Sequence, residues 1–131
     1  MTLNNIKNVH FIGIGGIGMS SLAFFLLEKG IKVSGSDIGN DPIIKKLKKK
    51  GCVISKNHDA SNIQNQDLII YSSAIRKNNP EIIKGKKKKI WILKRGEALG
   101  FFTNNMKNIT ITGCHGKSTT SSISHYLINN S

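Results

Sequence analysis

Two glycine-bearing segments of this 131-residue chain have residue types and spacings suited to phosphate chemistry. The first is Gly13-Ile14-Gly15-Gly16-Ile17-Gly18, a G-x-G-x-x-G pattern placed after a short apolar run and before a segment with helical spacing. There the first glycine permits a tight turn, the second lets backbone approach a diphosphate without a Cβ in the way, and the third lets helix and strand pack closely. Unpaired N–H groups at the helix start then face the anion. Asp37 ends the next apolar run, 19 residues after Gly18, where a carboxylate can accept hydrogen bonds from a ribose, with Ser36 beside it. The pattern predicts a nucleotide diphosphate site; the bland alternative is a glycine turn with no ligand.

The second segment, Gly113-Cys114-His115-Gly116-Lys117-Ser118-Thr119, ends like a P-loop. A Gly-Lys-[Ser/Thr] core sets N–H groups around phosphates, lets the lysine reach the β/γ oxygens and offers a hydroxyl to Mg2+. The strict form needs glycine at position 111, where Ile111 stands, so an ordinary strand-to-helix turn is the competing reading. A Rossmann oxidoreductase has no use for a second, lysine-bearing phosphate loop, so the two together point to two nucleotides and phosphoryl transfer.

The elements that must hold these loops follow from hydrophobic period and punctuation. Val9–Ile14 is a strand, Met19–Glu28 a helix closed by Gly30, and Ile31–Gly35 a second strand. Asn40-Asp41-Pro42 starts a helix that Gly51 ends, and Asn78-Asn79-Pro80-Glu81 repeats the capping logic for another helix to about Lys84. Cys52–Ile54, Asp67–Tyr71, Ile90–Leu93 and Ile109–Thr112 read as strands, and Gly96–Phe102 as a helix. Such alternation with short connections is the pattern of a doubly wound α/β fold, a Rossmann-like parallel sheet covered by helices. The polar stretch Thr103–Asn108 suggests a boundary, giving a first domain over 1–105 and the start of a second over 106–131.

Composition excludes several classes. The formal charge is +13, but 18 of the 20 cations are lysine and only Arg76 and Arg95 are arginine, without the interleaved aromatics of a base-stacking surface. No specific nucleic acid partner is expected; nonspecific polyanion affinity is. Lys45, Lys46, Lys48, Lys49 and Lys50 line the solvent side of one amphipathic helix, and Lys86–Lys89 read as an exposed connector. No apolar run reaches the roughly 18 residues of a membrane span, no leader order occupies the start, and Cys52 and Cys114 fit no disulfide or zinc framework. A cytoplasmic setting is expected.

The run from His10 to Ser20, the strand end Ser34-Gly35-Ser36-Asp37, the turn Ser72-Ser73-Ala74-Ile75 and the loop from Gly113 to Thr120 resemble, in order and spacing, the Mur ligase family. The histidine in the second loop is similar to the branch that adds L-alanine to UDP-N-acetylmuramate and to its recycling relatives. The Gly-Gly-x-Gly-Met-Ser form favours the alanine-adding branch. The resemblance implies a three-domain enzyme of peptidoglycan precursor synthesis. In it ATP phosphorylates the muramate carboxylate, the L-alanine amine attacks the acyl phosphate, and ADP and phosphate leave. Residue by residue, it implies that Gly13, Gly15, Gly16, Ile17, Gly18, Met19 and Ser20 bind the UDP diphosphate, with Ser36 and Asp37 near the ribose and Ser72, Ser73 and Ala74 completing the pocket. It assigns ATP to Gly113, Cys114, His115, Gly116, Lys117, Ser118 and Thr119, with Lys117 catalytic and Ser118 or Thr119 on Mg2+. NAD is not expected.

Some residues depart from the family pattern. Cys114 and Ser118 stand where threonine is usual, and both leave the main-chain cradle and a metal-side hydroxyl intact. Asn57-His58 replaces Gly-His; His58 reads as an exposed loop histidine, with a place beside the ligand as the alternative, and His10 as structural. Against the family, most of the ATP-binding domain and all of the alanine-binding domain fall outside these residues. The segment Thr119–Asn130 is then expected to be a loosely docked helix. Two alternatives remain at this level: a NAD-binding regulatory or oxidoreductase Rossmann domain, and a basic nucleic-acid module. Oligomeric state is not legible.

Overall fold

Val9 and Phe11 alternate with His10 and Ile12, and a period of two sends each pair to opposite faces of a sheet. In the computed structural model, which describes residues 3–112, Asn8–Ile12 is the first strand, β1. It lies at the centre of a five-stranded sheet with Lys32–Ser36 (β2), Val53–Ser55 (β3), Leu68–Tyr71 (β4) and Trp91–Lys94 (β5), in the order β3-β2-β1-β4-β5. Every pairing is parallel; Phe11 lies opposite Gly35 on one side and Ile70 on the other.

The helices are Ile17–Glu28 (α1), Pro42–Lys49 (α2), Pro80–Lys87 (α3) and Arg95–Thr112 (α4). Pro42 and Pro80 each sit at a helix start, where a missing N–H costs nothing. Asn79 caps α3 by accepting the Glu81 N–H at 2.8 Å, and Glu97 accepts the Lys94 N–H at the start of α4. Lysines fill the last turns of α2 and α3, where the dipole favours cations.

Val9, Phe11, Val33, Leu68 and Ile70 face a core closed by α1 and by Ala98 and Phe102 of α4. The opposite face buries Ile12 and Ile69 against Ile82 of α3 and Ile63. Helices on both faces make the sheet doubly wound, as the alternation predicts. From β1 the chain moves outward through β2 and β3, then returns to the other flank of β1 for β4 and β5. That reversal opens a crevice at the carboxyl ends of β1 and β4, where ligands of such folds bind.

One predicted element is corrected. Ile109–Thr112, read as a strand, is the end of α4, which runs without interruption from Arg95 through the polar stretch. Four residues with two β-branched pairs suit a strand by propensity, but a strand needs a ladder. Neither edge strand pairs with them among the described residues, so their backbone groups are met by continuing the helix. The predicted phosphate loop Gly113–Thr119 and the predicted helix Thr119–Asn130 lie outside the described residues.

Candidate functional site

β1 ends at Ile12 and the chain turns at Gly13, whose φ of +85° is open to glycine and strained for other residues. A Cβ there would also come within 3.2 Å of the Ser72 Cβ. The turn is tied to β2: the Gly13 and Ile14 N–H groups both donate to the Ser36 carbonyl, at 2.8 and 3.1 Å. Gly16 then precedes α1 without a side-chain cap, so the first helical amides remain available to an anion. Ser72 continues the ladder of β4 by donating its N–H to Ile12, which puts the Ser72–Ala74 turn beside Gly13, with Ser73 and Ala74 exposed.

Asp37 lies at the next strand end and faces this loop. Its Oδ2 accepts the Gly15 N–H at 2.7 Å and its Oδ1 accepts the Gly39 N–H at 2.8 Å. A Cβ at Gly15 would lie 2.8 Å from Oδ2, so this glycine makes room for the carboxylate. Each oxygen keeps acceptor capacity for a ribose hydroxyl. Beside Asp37, a cavity of about 390 Å³ is lined by Ile44, Ile54, Lys45, Lys48 and Lys56. A larger groove of about 730 Å³ runs past Lys32 and Ser34 to Gln66. Neither of these two includes the glycine loop, whose Gly15 and Ile17 line a third cavity of about 220 Å³ with Ser20, Ser21, Asp41 and Ile43.

The structure divides the other predicted residues. Ile17 is exposed at the helix start and Met19 is buried in the core, while Ser20, whose hydroxyl donates to the Ile17 carbonyl, lines a small cavity with Gly15 and Ile17. Ser36 is corrected more sharply. Its side chain points to the face opposite Asp37, is fully buried, and donates to Glu81 Oε2 at 2.6 Å. Its carbonyl, by contrast, anchors the loop.

Glu81 is the centre of a buried polar cluster that sequence reasoning treated only as part of a helix cap. His10 Nε2 lies 2.7 Å from Oε1, His58 Nδ1 lies 2.9 Å from Oε2, and Asn62 donates to Oε1 at 3.1 Å. His10 Nδ1 meets the Ser34 hydroxyl at 2.8 Å, and His58 Nδ1 also meets the Ser36 hydroxyl. Burial raises the Glu81 pKa, but hydrogen bonds from His10, Ser36 and Asn62 and the charge of His10 outweigh it and hold the carboxyl below its ordinary range. The ionised acceptor makes Nδ1 of His58 a donor. His58 is therefore a half-buried partner of Glu81 and not an exposed loop residue. The available signal was His10 itself, a polar residue inside an apolar strand, in register with Ser34.

Arg95 also escaped notice. Its guanidinium lies over the first turn of α1, and the atoms nearest to a Cβ built at Gly18 are its Cδ at 2.9 Å, Nη1 at 3.0 Å and Nε at 3.1 Å. The third glycine accommodates this side chain, a closer neighbour than the strand that the pattern suggested. Among the described residues no group of three or more His, Cys, Asp or Glu could hold a metal, and no helix is long and apolar enough to cross a membrane.

Residues 8–107 match the Mur ligase family, catalytic domain. The chain is 50% identical over 129 residues to a UDP-N-acetylmuramate–L-alanine ligase of Clostridium tetani, covering 97% of this chain and 28% of that protein. It is 51% identical over 118 residues to one from Campylobacter jejuni, covering 90% and 27%. The chain thus spans about 28% of the length of the curated relatives it matches. Among solved structures, it is similar to the UDP-N-acetylmuramate-alanine ligase MurC of Thermotoga maritima, with 37% identity and a TM-score of 0.69 over 77% of this chain and 23% of that one. The UDP-N-acetylmuramate:L-alanyl-gamma-D-glutamyl-meso-diaminopimelate ligase of Neisseria meningitides shares the fold, at 22% identity and a TM-score of 0.68 over 79% of this chain and 32% of that one. A match over residues 8–107, which include a glycine loop seated at the switch point of a parallel sheet, places this chain in the Mur ligase family.

Proposed function

We propose that these residues form the nucleotide-sugar-binding part of a UDP-N-acetylmuramate:L-alanine ligase, followed after residue 105 by the beginning of its ATP-binding domain. The observation that carries the reading is the glycine loop at the carboxyl end of β1. Its second glycine is held by Asp37, in a chain half identical to ligases of that name. The diphosphate of the UDP-sugar lies across Gly13–Gly18 and the start of α1, where backbone N–H groups and the helix dipole favour it. The ribose hydroxyls reach Asp37, and the uracil enters the adjoining cavity between α2 and β3. Ser72, Ser73 and Ala74 border the phosphates from the β4 side.

ATP and Mg2+ belong, in this reading, to Gly113, Cys114, His115, Gly116, Lys117, Ser118 and Thr119 on the strength of the sequence pattern. Lys117 contacts the transferred phosphoryl group, and Ser118 or Thr119 the metal. The substrate partners are UDP-N-acetylmuramate, L-alanine and ATP, in the cytoplasm.

Calorimetric titration of the purified chain with UDP-N-acetylmuramate, with NAD and MgATP as controls in the same buffer, tests the first half. Saturable binding of the UDP-sugar without NAD binding is expected. Binding of NAD with no response to the UDP-sugar overturns the reading in favour of a nicotinamide-binding domain.

A further inference from the structure

Arg95 opens α4, yet its side chain reaches back to α1 and lies against the backbone of Gly18. It is half-buried, and among the described residues it has neither a carboxylate partner nor a hydrogen bond. The site is electrostatically unfavourable for a lone cation. The start of α1 carries the positive end of the helix dipole, and among the described residues no backbone carbonyl accepts the Ile17 and Gly18 N–H groups. An anion between these amides and the guanidinium turns that repulsion into attraction from both sides. An arginine suits the place better than one of the chain's many lysines, because a planar fork can lie flat on a glycine backbone and still present two parallel N–H donors to phosphate oxygens.

We propose that Arg95 is a binding and positioning residue for the diphosphate of the nucleotide sugar, held in place by the side-chain-free surface of Gly18. The inference rests on the UDP-sugar reading above and adds a direction to it. Asp37 at one end of the loop takes the nucleoside, and Arg95 at the other takes the phosphates, so the sugar leaves the loop toward β4 and β5.

The test is calorimetric titration of the chain with uridine monophosphate, UDP and UDP-N-acetylmuramate at low and moderate salt. The variants are Arg95→Ala, Arg95→Lys, Gly18→Ala and the double variant Arg95→Ala/Gly18→Ala. Arg95→Ala is expected to weaken the UDP-sugar by about ten- to a hundredfold and to flatten its salt dependence. Arg95→Lys recovers only part of the loss. Gly18→Ala keeps the arginine but displaces its flexible end, so it weakens binding as well, and the two losses do not add in the double variant. Matching thermal midpoints establish that each variant is folded; if Arg95→Ala is not, Arg95→Lys and Gly18→Ala carry the comparison. Wild-type affinity in the folded Arg95 variants overturns this inference alone. A wild-type chain that ignores every uridine nucleotide overturns the underlying reading and this inference with it.

Discussion

Glu81 shows how one buried carboxylate can organise residues far apart in sequence. It joins His10, Ser36, His58 and Asn62, and Ser36 in turn anchors the glycine loop through its carbonyl. Glu81→Gln keeps the shape but turns an N–H2 group toward donors, so at pH 7 it is expected to destabilise the chain by about 1–3 kcal/mol. The folded pKa of Glu81 is lowered, so its contribution is fully present above the ordinary glutamate value of 4.5 and is lost as pH falls through the depressed folded value. Urea unfolding at pH 7 and at progressively lower pH should therefore show the gap between wild type and variant closing below that range; a gap independent of pH contradicts an ionised Glu81. None of this was visible locally. Asn79-Pro80-Glu81 is already complete as a helix start, so the sequence contained no unmet demand at Glu81. His10 did present one, and only its partner was unknown.

At the level of elements, the strands and helices were legible because period and punctuation act within a few residues. β1, α1, β2, α2, α3 and β5 fall within a few residues of their predicted bounds. The end of α4 was misread for the complementary reason, since whether Ile109–Thr112 extends a helix or joins a sheet depends on a neighbouring strand. Glycines divide the same way. Gly13 is required by its positive φ and by Ser72, so Gly13→Ala is expected to cost about 1–2 kcal/mol or more and to abolish nucleotide binding. Gly100 lies inside α4 with nothing within 4 Å of a built Cβ, so Gly100→Ala is expected to stabilise by about 1 kcal/mol. Thermal melts of the two variants should move in opposite directions; a parallel shift removes the special role given to the Gly13 turn.

For the whole molecule, the sheet places one crevice at the carboxyl ends of β1 and β4 and covers both faces with helices, which is sufficient to seat one nucleotide. Ligation requires more: a closed, water-excluding site around a phosphoryl group and a third set of residues for the amine. The described residues form one such crevice, so they are expected to bind the UDP-sugar without turning it over. A coupled assay for ADP release with UDP-N-acetylmuramate, MgATP and L-alanine checks this, and alanine-dependent release above background overturns it. Much of the charge of +13 is carried by lysines on α2, α3 and their flanks; Lys45, Lys48 and Lys56 line the cavity beside Asp37, and the others of that group bear on nonspecific association.

By itself the sequence determined the α/β alternation, the glycine loop with its acidic residue at the following strand end, the second lysine-bearing loop and the family. Each is written in spacings of a few residues or in motifs whose order along the chain is diagnostic. The tertiary structure decided which face each strand-end side chain takes, sending Asp37 to the loop and Ser36 to Glu81. It also supplied the partner of His10, 71 residues away, and brought Arg95 onto Gly18. Those outcomes depend on sheet order and on helices crossing between strands, which local period does not encode.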